Sequence, residues 1–134
     1  MVGVFQKACP ELVEIVEAGE AESPRAERVL RDELSDIVRL GADTLVLGCT
    51  HYPLLKPAIN RVYPGSFALI DSATTTAAKV ERHLEHSRLR AADGSPRHEV
   101  LVTAVPQRFD EIAANLFGEA IEAEEVQIWE PQKT

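Results

Sequence analysis

The stretch Leu45-Val46-Leu47-Gly48-Cys49-Thr50-His51-Tyr52-Pro53-Leu54-Leu55 joins a short apolar run to a polar triplet through a single glycine. Such a run fits a buried strand, and the break at Gly48 places Cys49, Thr50 and His51 beyond its carboxyl end. Open α/β sheets bind ligands there. A thiol and an imidazole two residues apart form a reactive-site layout, because the thiolate is the base or nucleophile and a neighbouring imidazolium or helix N-terminus favours it. Tyr52-Pro53 can open a following helix, since proline suits the first helical position.

Elements on either side repeat the alternation of strand and helix. Val2 to Ala8 reads as a short buried strand ended by Cys9-Pro10, with a helix from Glu11 to Ala18 closed by Gly19. Ser23-Pro24 is a cap followed by a first-turn proline. Ala26, Val29, Leu30, Leu34, Ile37 and Val38 then recur at helical spacing up to Gly41. Thr44 to Leu47 is the next strand, and a helix is expected from Pro53 to about Val62, with Pro57 able to kink it. After the Pro64-Gly65 turn, Phe67 to Ile70 reads as a strand. Asp71-Ser72 then caps a helix from Ala73 to about His86, with Ala73, Ala77, Val80 and Leu84 as its apolar positions. Arg90 to Arg97 is a polar connection. Glu99 to Val105 is strand-like, Gln107 to Phe117 helical and closed by Gly118, and Val126 to Trp129 a final strand. The alternation predicts an α/β fold, a parallel sheet flanked by helices.

Length and composition narrow the function. The chain of 134 residues is long enough for one ordinary domain. With 22 acidic against 14 basic residues and a formal charge of -8, an extended nucleic-acid surface or a grip on anionic membrane is disfavoured. No apolar run reaches the roughly 18 residues of a membrane-spanning candidate, and the N-terminus lacks a signal-peptide pattern, so the expected location is cytoplasmic. Cys9 and Cys49 alone do not make a disulfide framework. His83 and His86 lie three residues apart on a helix without cysteine or carboxylate ligands nearby, so no metal is expected.

Gly48-Cys49-Thr50-His51-Tyr52-Pro53-Leu54 resembles the second-cysteine motif of the cofactor-independent glutamate racemases, within the aspartate/glutamate racemase superfamily. Ala8-Cys9-Pro10 followed by Val16-Glu17 is similar to a second segment of that family, although Glu11 and Glu14 stand where more apolar residues are usual. Ile70-Asp71-Ser72 before an alanine-rich helix, and Arg108-Phe109 late in the chain, match in position.

Members of the family have two pseudosymmetric α/β domains with the substrate between them, each supplying one cysteine. The resemblance implies that residues 1–70 correspond to the second domain and residues 71–134 to the C-terminal return to the first. No counterpart is found for the aspartate-serine-glycine, proline-tyrosine-glycine and cysteine-asparagine-threonine segments of the first domain. The expected fold is thus an incomplete two-domain arrangement. The expected protein is a truncated glutamate racemase, interconverting L- and D-glutamate for peptidoglycan biosynthesis and impaired in isolation. The alternative is a non-catalytic fragment that self-associates or complements a separate N-terminal half.

Cofactor-free inversion at an α-carbon needs a base on one face and an acid on the other. By resemblance, Cys49 is one of these two groups, His51 assists the thiol or orients the substrate, Thr50 hydrogen-bonds the substrate, and Glu17 assists proton transfer. Bland readings stand beside these: a buried inert thiol for Cys49, a helix cap for Thr50, and a solvated surface carboxylate for Glu17. Cys9 is expected to be a structural thiol. Thiol-dependent hydrolysis with Cys49 and His51 lacks a recognisable third orienting group. The implied small-molecule partner is glutamate, the implied protein partner a second copy or the missing N-terminal half, and no cofactor is implied.

Overall fold

The computed structural model describes residues 3–91, 98–104, 109–110, 113–114 and 122–128. The chain divides into two compact units, residues 1–90 and residues 91–134.

In the first unit, Pro10 starts helix α1 (Pro10–Glu17). Its C-terminus closes on Gly19, whose φ of 73° lies in the left-handed region that a β-carbon disfavours. There the amide of Glu20 donates to the carbonyl of Ile15 and that of Gly19 to Val16, a Schellman closure. Helix α2 (Pro24–Arg39) begins where the Ser23 hydroxyl accepts the Ala26 amide and ends on Gly41 at φ 75° with the same pattern. Strand β1 (Thr44–Leu47) leads through Gly48 to a 3-10 turn at Tyr52–Leu55 and then helix α3 (Lys56–Val62). Pro57 at the start of α3 lacks the amide that would extend the preceding turn, so the expected single helix is split in two. Strand β2 (Ala68–Asp71) lies parallel to β1, with Leu45 opposite Leu69 and Leu47 opposite Asp71. Helix α4 (Ser72–His86) follows, capped by the Asp71 carboxylate on the Thr74 amide.

The core lies between α1, α2, α3 and one face of this two-stranded sheet. Leu12, Ile15 and Val16 of α1 meet Ala26, Leu30 and Leu34 of α2, with Leu47, Leu55, Ala58 and Ile59 beneath them. Each buried leucine, isoleucine or valine among them contributes about 1.5–3 kcal/mol through burial. Alternation along the strands sends Val46 and Ile70 to the other face, where they are 68% and 43% exposed. Among the described residues, no helix buries these two side chains.

The strand expected from Val2 to Ala8 is corrected here, with Val2 itself outside the described residues. Residues 3–8 form no strand and are exposed, Val4 at 87% and Phe5 at 54%; their apolar content alone does not recruit a sheet partner, and strand formation depends on one. Helix α4 forms with the expected span, but none of its residues is buried, and Val80 is 50% exposed. Its apolar positions have no packed counterpart among the described residues.

In the second unit, β3 (Val100–Val102) pairs in parallel with β4 (Ala123–Glu125). The expected strand at Val126 to Trp129 is displaced. The ladder lies just before it, and Val126 contributes only an amide that donates to the Val102 carbonyl at 2.8 Å. Trp129 lies outside the described residues. Of the helix expected from Gln107 to Phe117, residues 109–110 and 113–114 are helical and the remainder lies outside the described residues, as do residues 92–97 of the polar connection and Gly118. The Asp110 carboxylate accepts the Ala123 amide at 3.1 Å. Among the described residues, no helix is long and apolar enough to cross a membrane.

Candidate active site

Strand β1 ends at Leu47, and the next three side chains cluster rather than scatter. The Cys49 Sγ lies 3.7 Å from His51 Nδ1, and the Thr50 Oγ1 lies 3.3 Å from the same nitrogen. On the other side of the ring, His51 Nε2 is 3.4 Å from Glu17 Oε1. All four residues singled out from the sequence therefore converge on one imidazole. Cys49 is half-buried, and the His51 and Glu17 side chains are about one-third exposed, open enough for a small molecule to reach.

A neutral ring that keeps its proton on Nε2, towards Glu17, leaves Nδ1 to accept from the Cys49 thiol or the Thr50 hydroxyl. Glu17 Oε1 is the carboxylate oxygen that faces Nε2. It reaches His51 because α1 ends beside the segment following β1.

The opposite end of α1 is tied to the same segment. The Tyr52 hydroxyl donates to the Cys9 carbonyl at 2.9 Å, and burial raises the pKa of that phenol above its ordinary value. Cys9 itself is buried, and its thiol donates to Glu33 Oε2 at 3.6 Å. Burial first, and then the Glu33 charge, push the Cys9 thiol pKa up, against a smaller opposing effect of Lys7. Lys7 in turn is 2.9 Å from that carboxylate. Cys9 is thus engaged towards α2, as expected of a structural thiol.

A further cluster lies at the start of α3 and the end of β2. Lys56 pairs with the buried carboxylate of Asp71, which also accepts the Thr74 hydroxyl at 2.9 Å. The Asp71-Ser72 cap was legible, but nothing in residue spacing pointed to Lys56 as its partner. Among the described residues, no group of three or more His, Cys, Asp or Glu side chains has the proximity to hold a metal ion.

A parallel α/β unit with a cysteine and a histidine in contact just beyond the carboxyl end of a strand defines the class as a cysteine-bearing α/β protein. The family described as Asp/Glu/Hydantoin racemase matches residues 4–80, and the chain belongs to it. Relatives include glutamate racemases from Bacillus cereus, 42% identical over 122 residues, and from Pseudomonas aeruginosa, 37% identical over 117 residues. These alignments cover 90% and 87% of this chain but 45% and 44% of the relatives. Among solved structures, Thermus thermophilus glutamate racemase in complex with β-chloro-D-alanine superposes with a TM-score of 0.78 at 41% identity. The match covers 91% of this chain and 47% of that one. Francisella tularensis glutamate racemase in complex with D-glutamate gives 0.72 at 25% identity, covering 87% and 44%. The chain therefore spans less than half the length of the relatives it matches.

Proposed function

We propose that these residues supply one of the two acid/base faces of a cofactor-independent glutamate racemase. The observation that carries this is the contact of Cys49 with His51 at the end of β1, in a chain similar to glutamate racemases over most of its length.

In the proposed reaction, the Cys49 thiolate removes the α-proton of one glutamate enantiomer. The Cα–H bond breaks, an S–H bond forms, and the electron pair is delocalised into the substrate carboxylate. A donor on the opposite face then returns a proton to Cα. In the reverse direction the Cys49 thiol is the donor. His51 exchanges a proton with Cys49 and is oriented by Glu17, while Thr50 offers a hydroxyl to the substrate. Cys9, buried and engaged with Glu33, is unsuited to be the opposing group, so that group comes from outside these residues.

Residues 1–70 are assigned to the cysteine-bearing domain of such a racemase and residues 71–134 to a return into the other. The absence of buried residues in α4 supports this assignment. The cytoplasm, where thiols stay reduced, is the location the two free cysteines favour, and supply of D-glutamate to peptidoglycan synthesis is the corresponding role.

The exposed sheet face at Val46 and Ile70 favours a second reading, in which the 134 residues are a non-catalytic α/β fragment that self-associates through that face, or completes a separate N-terminal half without supplying its chemistry. Circular dichroism with each glutamate enantiomer separates the two. Little inversion is expected from the chain alone. Turnover is expected once the portion found in the relatives and not here is added, and Cys49→Ser is expected to abolish it. Sustained turnover by the chain alone in both directions would overturn the half-site; a complemented assembly that binds D-glutamate without inverting it would overturn the racemase.

A further inference from the structure

Among the described residues, Asp71 is the one buried charged side chain, 3% exposed. A buried carboxylate is costly unless paired and hydrogen-bonded. Capping α4 does not by itself call for it, because a serine or threonine hydroxyl does the same work. Three sets of contacts meet at Asp71, the cap among them. Its backbone is the register partner of Leu47, the last residue of β1. Its side chain pairs with Lys56, the first residue of α3. Thr74 donates to it through both its amide, at 2.7 Å, and its hydroxyl, at 2.9 Å.

Leu47 and Lys56 are the two ends of the segment 48–55, which carries Cys49, Thr50 and His51. Both ends of that segment are therefore fixed to one residue. We propose that Asp71 and Lys56 are positioning residues for the Cys49 and His51 pair, closing the base of the segment so that thiol and imidazole stay in contact. The Lys56 ammonium, and then the Thr74 donors, hold the Asp71 carboxyl down at about 2, so the carboxylate of the clasp stays charged at neutral pH. The inference rests on the acid/base role proposed for Cys49.

The test is the alkylation rate of Cys49 by iodoacetamide, read by peptide mass spectrometry on the full chain. It involves no glutamate, so it is measured whether or not the protein proves to be a racemase. Asp71→Asn and Lys56→Met are each expected to slow Cys49 by roughly threefold or more, since small displacements of paired reacting groups are costly. Lys56→Arg restores most of the rate. In a His51→Ala background neither substitution slows Cys49 further, because the contact they protect is already gone. Lys56→Met keeps the Asp71 cap on Thr74, so it carries the test if Asp71→Asn does not fold. An unchanged or faster rate in Lys56→Met would overturn the proposal. So would slowing that persists in the His51→Ala background, or equal slowing by Ile59→Val, which loosens α3 without touching the clasp.

Discussion

The Tyr52 hydroxyl donates to the carbonyl of Cys9, 43 residues earlier in the chain. At the far end of α1, Glu17 faces His51. One helix is thus joined at both ends to the segment that carries the thiol, so loosening either join disturbs both folding and the site. Tyr52→Phe removes the first join while preserving the ring. It is expected to cost about 1 kcal/mol, measured as a lower urea midpoint with an unchanged slope.

The two cysteines should react at very different rates. Cys9 is buried with its pKa raised by burial and by Glu33, whereas Cys49 is partly open beside an imidazole. Iodoacetamide at neutral pH is expected to label Cys49 at least about tenfold faster. Equal labelling in the folded chain, read by peptide mapping, would contradict the placement of Cys9.

Acid stability should report on Asp71. Its carboxyl titrates at about 2 in the folded chain against 3.8 for an unperturbed aspartate. The folded state therefore holds the charged form more firmly than the unfolded state. The resulting stabilisation is fully present above about pH 4 and is lost as pH falls towards 2. Thermal melts across that window are expected to show a declining midpoint, and Asp71→Asn should flatten this decline while lowering the midpoint at neutral pH.

Arg88 closes α4 at φ 54°, where the first two helices of the unit place glycine. The Leu89 amide donates to the Leu84 carbonyl across it in the same closing pattern. Arg88→Gly relieves a left-handed residue and is expected to stabilise the helix end by about 1 kcal/mol. The readout is slower hydrogen exchange at the amides of the last turn of α4.

In the complemented racemase assay, Cys49→Ser is expected to remove activity and His51→Ala to lower turnover by about 100-fold. Glu17→Gln, which acts through the imidazole, should have a smaller effect than His51→Ala. A Glu17 variant more damaging than the His51 variant would place the carboxylate in direct contact with substrate instead.

Much of this was legible because the decisive signals are local. Ser23-Pro24 and Gly41 bracket α2, and the spacing of Ala26, Leu30 and Leu34 marks its buried side. Cys49 and His51 are close in sequence, so their contact follows from one turn of backbone. Glu17 was reachable only through resemblance, because its approach to His51 depends on how α1 packs. Lys56 was not reachable, since its partner lies across the α3 to β2 connection and neither residue is unusual alone. Val4 and Phe5 look strand-like, but a strand needs a neighbour, and composition cannot supply one. Ala123–Glu125, two of its three residues acidic, pairs in place of the more apolar Val126 because register with Val100–Val102 sets the ladder.

The outward face bearing Val46 and Ile70 also governs how the chain behaves in bulk solution. Apolar surface there favours association, while a net charge of -8 opposes it by mutual repulsion. Repulsion is screened within about 10 Å at 0.1 M salt, and apolar attraction is not. Light scattering should therefore rise with added sodium chloride. Val46→Lys should lower it without affecting the core, so the ionic strength at which the chain is handled sets its colloidal state.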